Sequence, residues 1–273
     1  MLSYEWLAVL IIVPLIAGIV LFRHSKLKRE RNAEQQQGIN WLNSMRVLLA
    51  NMQKHRGLTS RYLAGDVATN KDIAAIQSVI SSEFTRIGKV GPWIHSNERW
   101  IGIADHWARL CTSFKNQTTE SNLNQHNKLI SNLLYLIEDT AETHHLRELS
   151  AHPEKVAYCW KELLIAAESI GQARALGSAI AATHNCDGVS RIRMTYLRNR
   201  IHETSSAVWT HLDVPSQTKS NVEKLLDTID NRIMVDKPDM EPGTYFALAT
   251  ESLEGLLRQF DIEIGGLTTN VKG

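Results

Sequence analysis

The chain has 273 residues, 43% of them apolar and 22% charged, with 30 Lys and Arg against 29 Asp and Glu. That apolar content supports a buried core and excludes a disordered chain, and the length allows one large or two smaller helical units. The net charge of +1 hides a split: residues 1–31 hold five Lys and Arg against two Glu, the rest 25 against 27. The body is therefore not a nucleic-acid-binding surface.

The first predicted element is an uninterrupted apolar run from Trp6 to Phe22, 17 residues at the short end of what crosses about 30 Å of hydrocarbon. Pro14 and Gly18 are tolerable in a membrane helix, and Tyr4 and Trp6 suit its interface. Arg23, Lys26, Lys28, Arg29 and Arg31 follow the run and no Lys or Arg precedes it. A cleaved signal peptide would want the opposite flanks. The expectation is a single-pass anchor, residues 1–22, in a bacterial inner membrane, with residues 23–273 in the cytoplasm. Residues 23–38 read as a basic, Gln-rich juxtamembrane linker, since residues 32–38 have no apolar member.

Beyond the linker every segment reads as helix: about 39–64, 70–89, 97–115, 119–143, 153–183, 188–211, 215–235 and 242–261. No stretch alternates with period two for long enough to form a sheet. Gly65-Asp66 ends the first helix, Asn70 and Asn97 suit caps, and Pro153, Pro215 and Pro242 suit first turns. Short loops make neighbours antiparallel. The predicted fold is all-α: the membrane helix, then an eight-helix domain of two up-and-down four-helix bundles over residues 39–262, and a tail at 263–273.

Two arginines stand in apolar seams. The first helix places Leu42, Met45, Leu49, Met52, Arg56, Thr59 and Leu63 on one face. The fifth places Val156, Trp160, Leu163, Ala167, Ile170, Arg174, Gly177 and Ala181 together. A guanidinium stays charged, so each needs a carboxylate, carbonyls or a bound anion. One reading pairs them with Glu168, Glu251 or Glu254, or lets them snorkel to water. The other has them face each other around a planar oxyanion, which suits the fork of N–H donors. Thr59, one turn beyond Arg56, is a candidate hydroxyl donor or simply a small packing residue.

Gln53-Lys54-His55-Arg56-Gly57-Leu58-Thr59-Ser60 resembles the signature of the NIT domain, the nitrate- and nitrite-sensing module of bacterial receptors and regulators. The run Glu168 to Gly177, with Gly171, Arg174 and Gly177 three apart, is similar to the family's fifth-helix pattern. Pro242-Gly243-Thr244-Tyr245-Phe246 followed by Thr250 looks like the opening of its last helix. The resemblance covers roughly residues 39–262. It implies two helical bundles with nitrate or nitrite held between them by Arg56 and Arg174. Some members carry another arginine where His55 stands, which makes His55 a candidate ligand charged only near or below about pH 6.5 unless perturbed. NIT domains usually precede an output module, and thirteen residues follow Phe260 here. The resemblance therefore implies signalling through a separate partner.

Other candidates are weaker. His144, His145 and His152 lack metal-ligand spacing, so no metal is expected. His184-Asn185-Cys186 are neighbours in a turn and do not make a nucleophile set. Cys111, Cys159 and Cys186 include no CxxC pair and fit a reduced compartment. Arg191, Arg193, Arg198 and Arg200 read as a solvated face, from which Arg193 or Arg200 would be placed to supplement the pocket. The expectation is a non-enzymatic nitrate or nitrite sensor, with a second copy of the chain as a candidate homodimer partner, no cofactor and no nucleic-acid partner. The alternative is an assembly scaffold whose arginines are satisfied internally.

Overall fold

The computed structural model describes the backbone of residues 4–271 and the side chains of residues 15–271. Among the described residues there are nine α-helices and no strand: α1 Tyr4–Leu63, α2 Asn70–Gly88, α3 Glu98–Ser113, α4 Thr119–Thr143, α5 Pro153–Tyr158, α6 Leu164–Thr183, α7 Gly188–His211, α8 Ser216–Thr228 and α9 Pro242–Val271. Asn97, Thr118, Asp187 and Glu241 cap α3, α4, α7 and α9, each side chain accepting a backbone N–H three residues on. Asn70 lies inside its helix instead of capping it, and Pro215 is itself the residue before α8.

Among the described residues no helix is long and apolar enough to cross a membrane, which overturns the expected N-terminal span at Trp6–Phe22. The part of that run with described side chains is Leu15 to Phe22. Side chains 6–14 lie outside the described residues. The expected inner-membrane placement loses its basis with the span.

The linker expected at 23–38 is helix as well, continuous with the rest of α1. Ala, Glu and Gln at 33–37 are good helix formers. Their polarity is absorbed by tertiary contacts: Asn32 Nδ2 donates to Val271 O at 3.2 Å and Gln35 Nε2 to His145 O at 3.3 Å. A Cβ on Gly38 would lie 2.6 Å from His144 Cβ, so only hydrogen fits there. The expected tail from residue 263 is also helical, because α9 continues through buried Ile264, Leu267 and Val271.

Helices α1 to α4 form one group, with α2 and α4 against α1 and α3 on α4. Helices α6 to α9 form the other, with α7 and α9 against α6 and α8 on α9. Helix α1 joins the groups by also packing on α6 and α9. It runs antiparallel to α9, since Asn32 meets Val271 and Arg46 pairs with Asp261. A π-type turn at Cys159–Leu163 joins α5 to α6. Residues 153–183 therefore run as one helix, in which Val156, Trp160, Leu163, Ala167, Ile170 and Ala181 are buried as the seam requires. Trp41, Leu42, Met45, Leu49 and Met52 are all fully buried along α1.

Candidate functional site

Beyond Met52, α1 carries Gln53 and, one turn on from Met52, Arg56 into the junction between the two groups. Arg56 is 2% exposed, and its guanidinium lies on Glu168 of α6, with Nη1 2.5 Å from Oε1 and Nη2 3.3 Å from Oε2. Arg56 Nη1 also donates to Asn127 Oδ1 of α4 at 2.7 Å. Glu168 accepts two further N–H bonds, from Gln53 Nε2 and Gln172 Nε2, each at 2.8 Å. The buried carboxylate is thus bonded on both oxygens, as a buried charge must be. Of the three acids named by the sequence, the fold selects Glu168 for Arg56. Helix α1 approaches α6 at Gly171, where a Cβ would sit 3.0 Å from Arg56 Nη2.

Arg174 lies farther along α6, half-buried. Its Nη1 donates to Thr250 Oγ1 of α9 at 2.9 Å, and its guanidinium carbon lies 4.8 Å from the centre of the Phe246 ring. Among the described residues it has no carboxylate within 4.0 Å. Burial and then the nearby Arg56 charge draw its pKa down, against the opposing fields of Glu168 and Glu254. It stays protonated at neutral pH and carries positive charge without a contacting carboxylate among the described residues. Tyr245 sets the approach of α9: a Cβ on Gly177 would lie 2.3 Å from its ring, and its hydroxyl donates to Ala173 O at 3.0 Å. Burial pushes the Tyr245 phenol well above its ordinary pKa. The glycines flanking Arg174 thus admit Arg56 on one side and Tyr245 on the other.

His55 and Thr59 go elsewhere. His126 Nδ1 donates to Asn122 O at 2.8 Å, which leaves its Nε2 to accept from His55 Nδ1 at 2.8 Å. His55 Nε2 then accepts from Gln77 Nε2 at 3.1 Å. Both rings are neutral in that chain. Burial lowers the His55 pKa to about 4; burial, then the His55 charge, lowers that of His126 to about 3. The pH sensitivity expected near 6.5 is therefore displaced well to the acid side. The hydroxyl of Thr59 donates to His55 O at 2.9 Å and accepts from Asn122 Nδ2 at 3.0 Å. Both side chains bond residues of α1, α2 and α4, whereas Arg174 bonds α9.

The α7 arginines divide too. Arg191, Arg193 and Arg198 pair with Asp236, Glu120 and Asp230. Arg200 has no carboxylate within 4.0 Å among the described residues, and it borders a crevice of about 180 Å³ shared with Tyr135, Glu168, Gln172 and Tyr196. His144 is packed between Trp41 and Trp93, and His184 Nδ1 donates to Pro238 O. The Cys186 thiol is pushed up by burial, so it is no thiolate nucleophile.

Sequence reasoning missed Gln53, Asn127, Gln172, Phe246 and Thr250 as members of the cluster. Gln53, Gln172, Phe246 and Thr250 lie inside the motifs and are readable there, whereas nothing local marks Asn127.

No family model matches the chain, and no curated protein matches it either. Among solved structures, the NasR transcription antiterminator has a similar fold, with a TM-score of 0.69 at 15% identity, covering 94% of this chain and 74% of that one. At that identity the likeness establishes the fold: an all-helical arrangement shared over nearly the whole chain.

Proposed function

We propose that the chain is a non-catalytic sensor of a small planar oxyanion, nitrate or nitrite, bound between Arg174 and Arg56 at the junction of the two helical groups. The observation that carries this reading is Arg174: a half-buried guanidinium held by a hydroxyl and an aromatic ring, beside a second guanidinium, with no carboxylate in contact among the described residues. An anion there gains charge-assisted N–H bonds that neutral partners do not supply. The three motifs that resemble the NIT domain meet at this cluster, and the fold is like that of a transcription antiterminator.

Binding favours whichever arrangement brings both guanidinium groups onto the anion, so it biases α1, α6 and α9 relative to one another. Arg56 lies about 36 Å along α1 from Asn32, taking about 1.5 Å per residue. Asn32 contacts the last turn of α9, so a shift of α1 against α9 is delivered at that end, where a separate output protein reads it.

The test is thermal unfolding of the full chain in nitrate, nitrite and chloride at matched ionic strength. A specific ligand at about 100 times its Kd stabilises by roughly 2.7 kcal/mol. The sensor reading expects a saturating shift for nitrate or nitrite beyond chloride, abolished by Arg174→Ala. One observation favours the rival reading of an assembly scaffold: Glu168 already neutralises Arg56. Identical curves in all three salts would select it.

A further inference from the structure

We propose that Glu168 is a tethered competitor of the sensed anion: without ligand its carboxylate holds Arg56, and the incoming oxyanion displaces it into the α4–α6–α7 crevice, where Arg200 receives it. This rests on the anion-binding reading above and assigns the residue that sets the affinity of that site.

The competition follows from the donors. A carboxylate and a nitrate ion present similar planar pairs of oxygens to a guanidinium. Glu168 contacts both terminal nitrogens of Arg56, and Asn127 takes a further N–H of Nη1. An anion that bridges Arg56 and Arg174 needs Arg56 donors pointing towards α6, and Glu168 is the group already there. Two anions on one buried guanidinium repel, so exchange is favoured over sharing.

The crevice supplies a destination. Glu168 and Gln172, which are bonded to each other, both border it, so the residue that holds Arg56 also lines a space of about 180 Å³. Taking about 30 Å³ per water, that space accepts a carboxylate together with some of its hydration. At its border Arg200 is the α7 arginine left without a contacting acid, while Arg191, Arg193 and Arg198 are paired. It acts on Glu162 through space, drawing its carboxyl down against the rise that burial causes. After the exchange Glu168 retains a cation and Arg174 gains an anion. The tie between α1 and α6 moves from Glu168 to the Arg174 level, six residues farther along α6. That change of register makes ligand binding visible to the rest of the fold.

The experiment measures nitrate affinity by titration calorimetry on the full chain and on two variants, Glu168→Gln and Arg200→Met. Glu168→Gln removes the competing charge while keeping shape and is expected to tighten nitrate at least tenfold, ~1.4 kcal/mol in binding. Arg200→Met lies at an exposed position that leaves folding intact, and is expected to weaken nitrate several-fold because the displaced carboxylate loses its receiving charge. If the wild type binds and Glu168→Gln binds equally or more weakly, the competitor role is overturned while the sensor reading stands. Tighter binding in Glu168→Gln with no change in Arg200→Met overturns relocation to Arg200. Should only Glu168→Gln bind, competition is upheld and the wild-type sensor reading falls; if neither binds, both fall.

Discussion

Adjacent residues of α1 feed two polar clusters with opposite characters. His55 enters a chain of neutral donors and acceptors running from Asn122 through His126 to Gln77, walled by Trp107 and Phe114. Arg56 enters a charged cluster in which two guanidinium groups share the field of one buried carboxylate, Glu168. In the first, each ring nitrogen is satisfied internally and no charge remains. In the second, positive charge exceeds what the contacting side chains neutralise. Satisfied neutral networks fix a core; a cluster with unspent charge is where a ligand gains most.

The largest effect that sharpens this contrast comes from removing Arg56. Both members of the Arg56–Glu168 pair are nearly inaccessible, so Arg56→Ala, made together with Arg200→Met so that Glu168 has no second cation to turn to, leaves an uncompensated buried carboxylate. It is expected to cost about 3–5 kcal/mol of unfolding free energy, measured by denaturant titration. A loss below about 1 kcal/mol would mean that the pair is solvated, as exposed ion pairs are.

The histidine cluster responds to pH instead. Its folded pKa values lie below the ordinary 6.5, so the unfolded chain binds more protons as the solution is acidified. Stability is therefore expected to be full above about pH 6.5 and to fall as pH drops towards about 4 for His55 and about 3 for His126. At about 1.4 kcal/mol per unit, His55 alone accounts for roughly 2 kcal/mol between pH 6.5 and 5. A profile without slope over that window, in urea melts at constant ionic strength, would show that these rings are hydrated.

The smallest expected effect lies at Thr250. Thr250→Val removes the hydroxyl that accepts from Arg174 and is expected to change stability by about 1 kcal/mol or less, because Arg174 keeps partial access to water. Nitrate-induced stabilisation should nevertheless shrink, since the guanidinium loses its orienting partner. An unchanged nitrate shift would separate Thr250 from the site.

Much of the helical framework was legible in the residues. The spans 119–143 and 188–211 coincide with α4 and α7, because 3.6-residue periodicity is a local property. The stretch 32–38 was misjudged because its lack of apolar residues looked like solvent exposure, whereas its side chains bond backbone carbonyls of α9 and of the turn after α4. The π-type turns after α5 and α8 leave no such local signal. His55 and Arg56, being consecutive, diverge by about 100° around α1 and so face different neighbours, which is why only Arg56 reaches Glu168.

The sequence by itself determined the helices, the apolar seams and the presence of two arginines inside them, since these depend on residues within a few turns. Tertiary structure alone decided that Glu168 and not Glu251 or Glu254 holds Arg56, and that Gly177 receives Tyr245. It also turned His55 towards His126. Those outcomes join residues as many as 112 positions apart, as with Arg56 and Glu168, and which side chains meet at that separation is set by how whole helices pack.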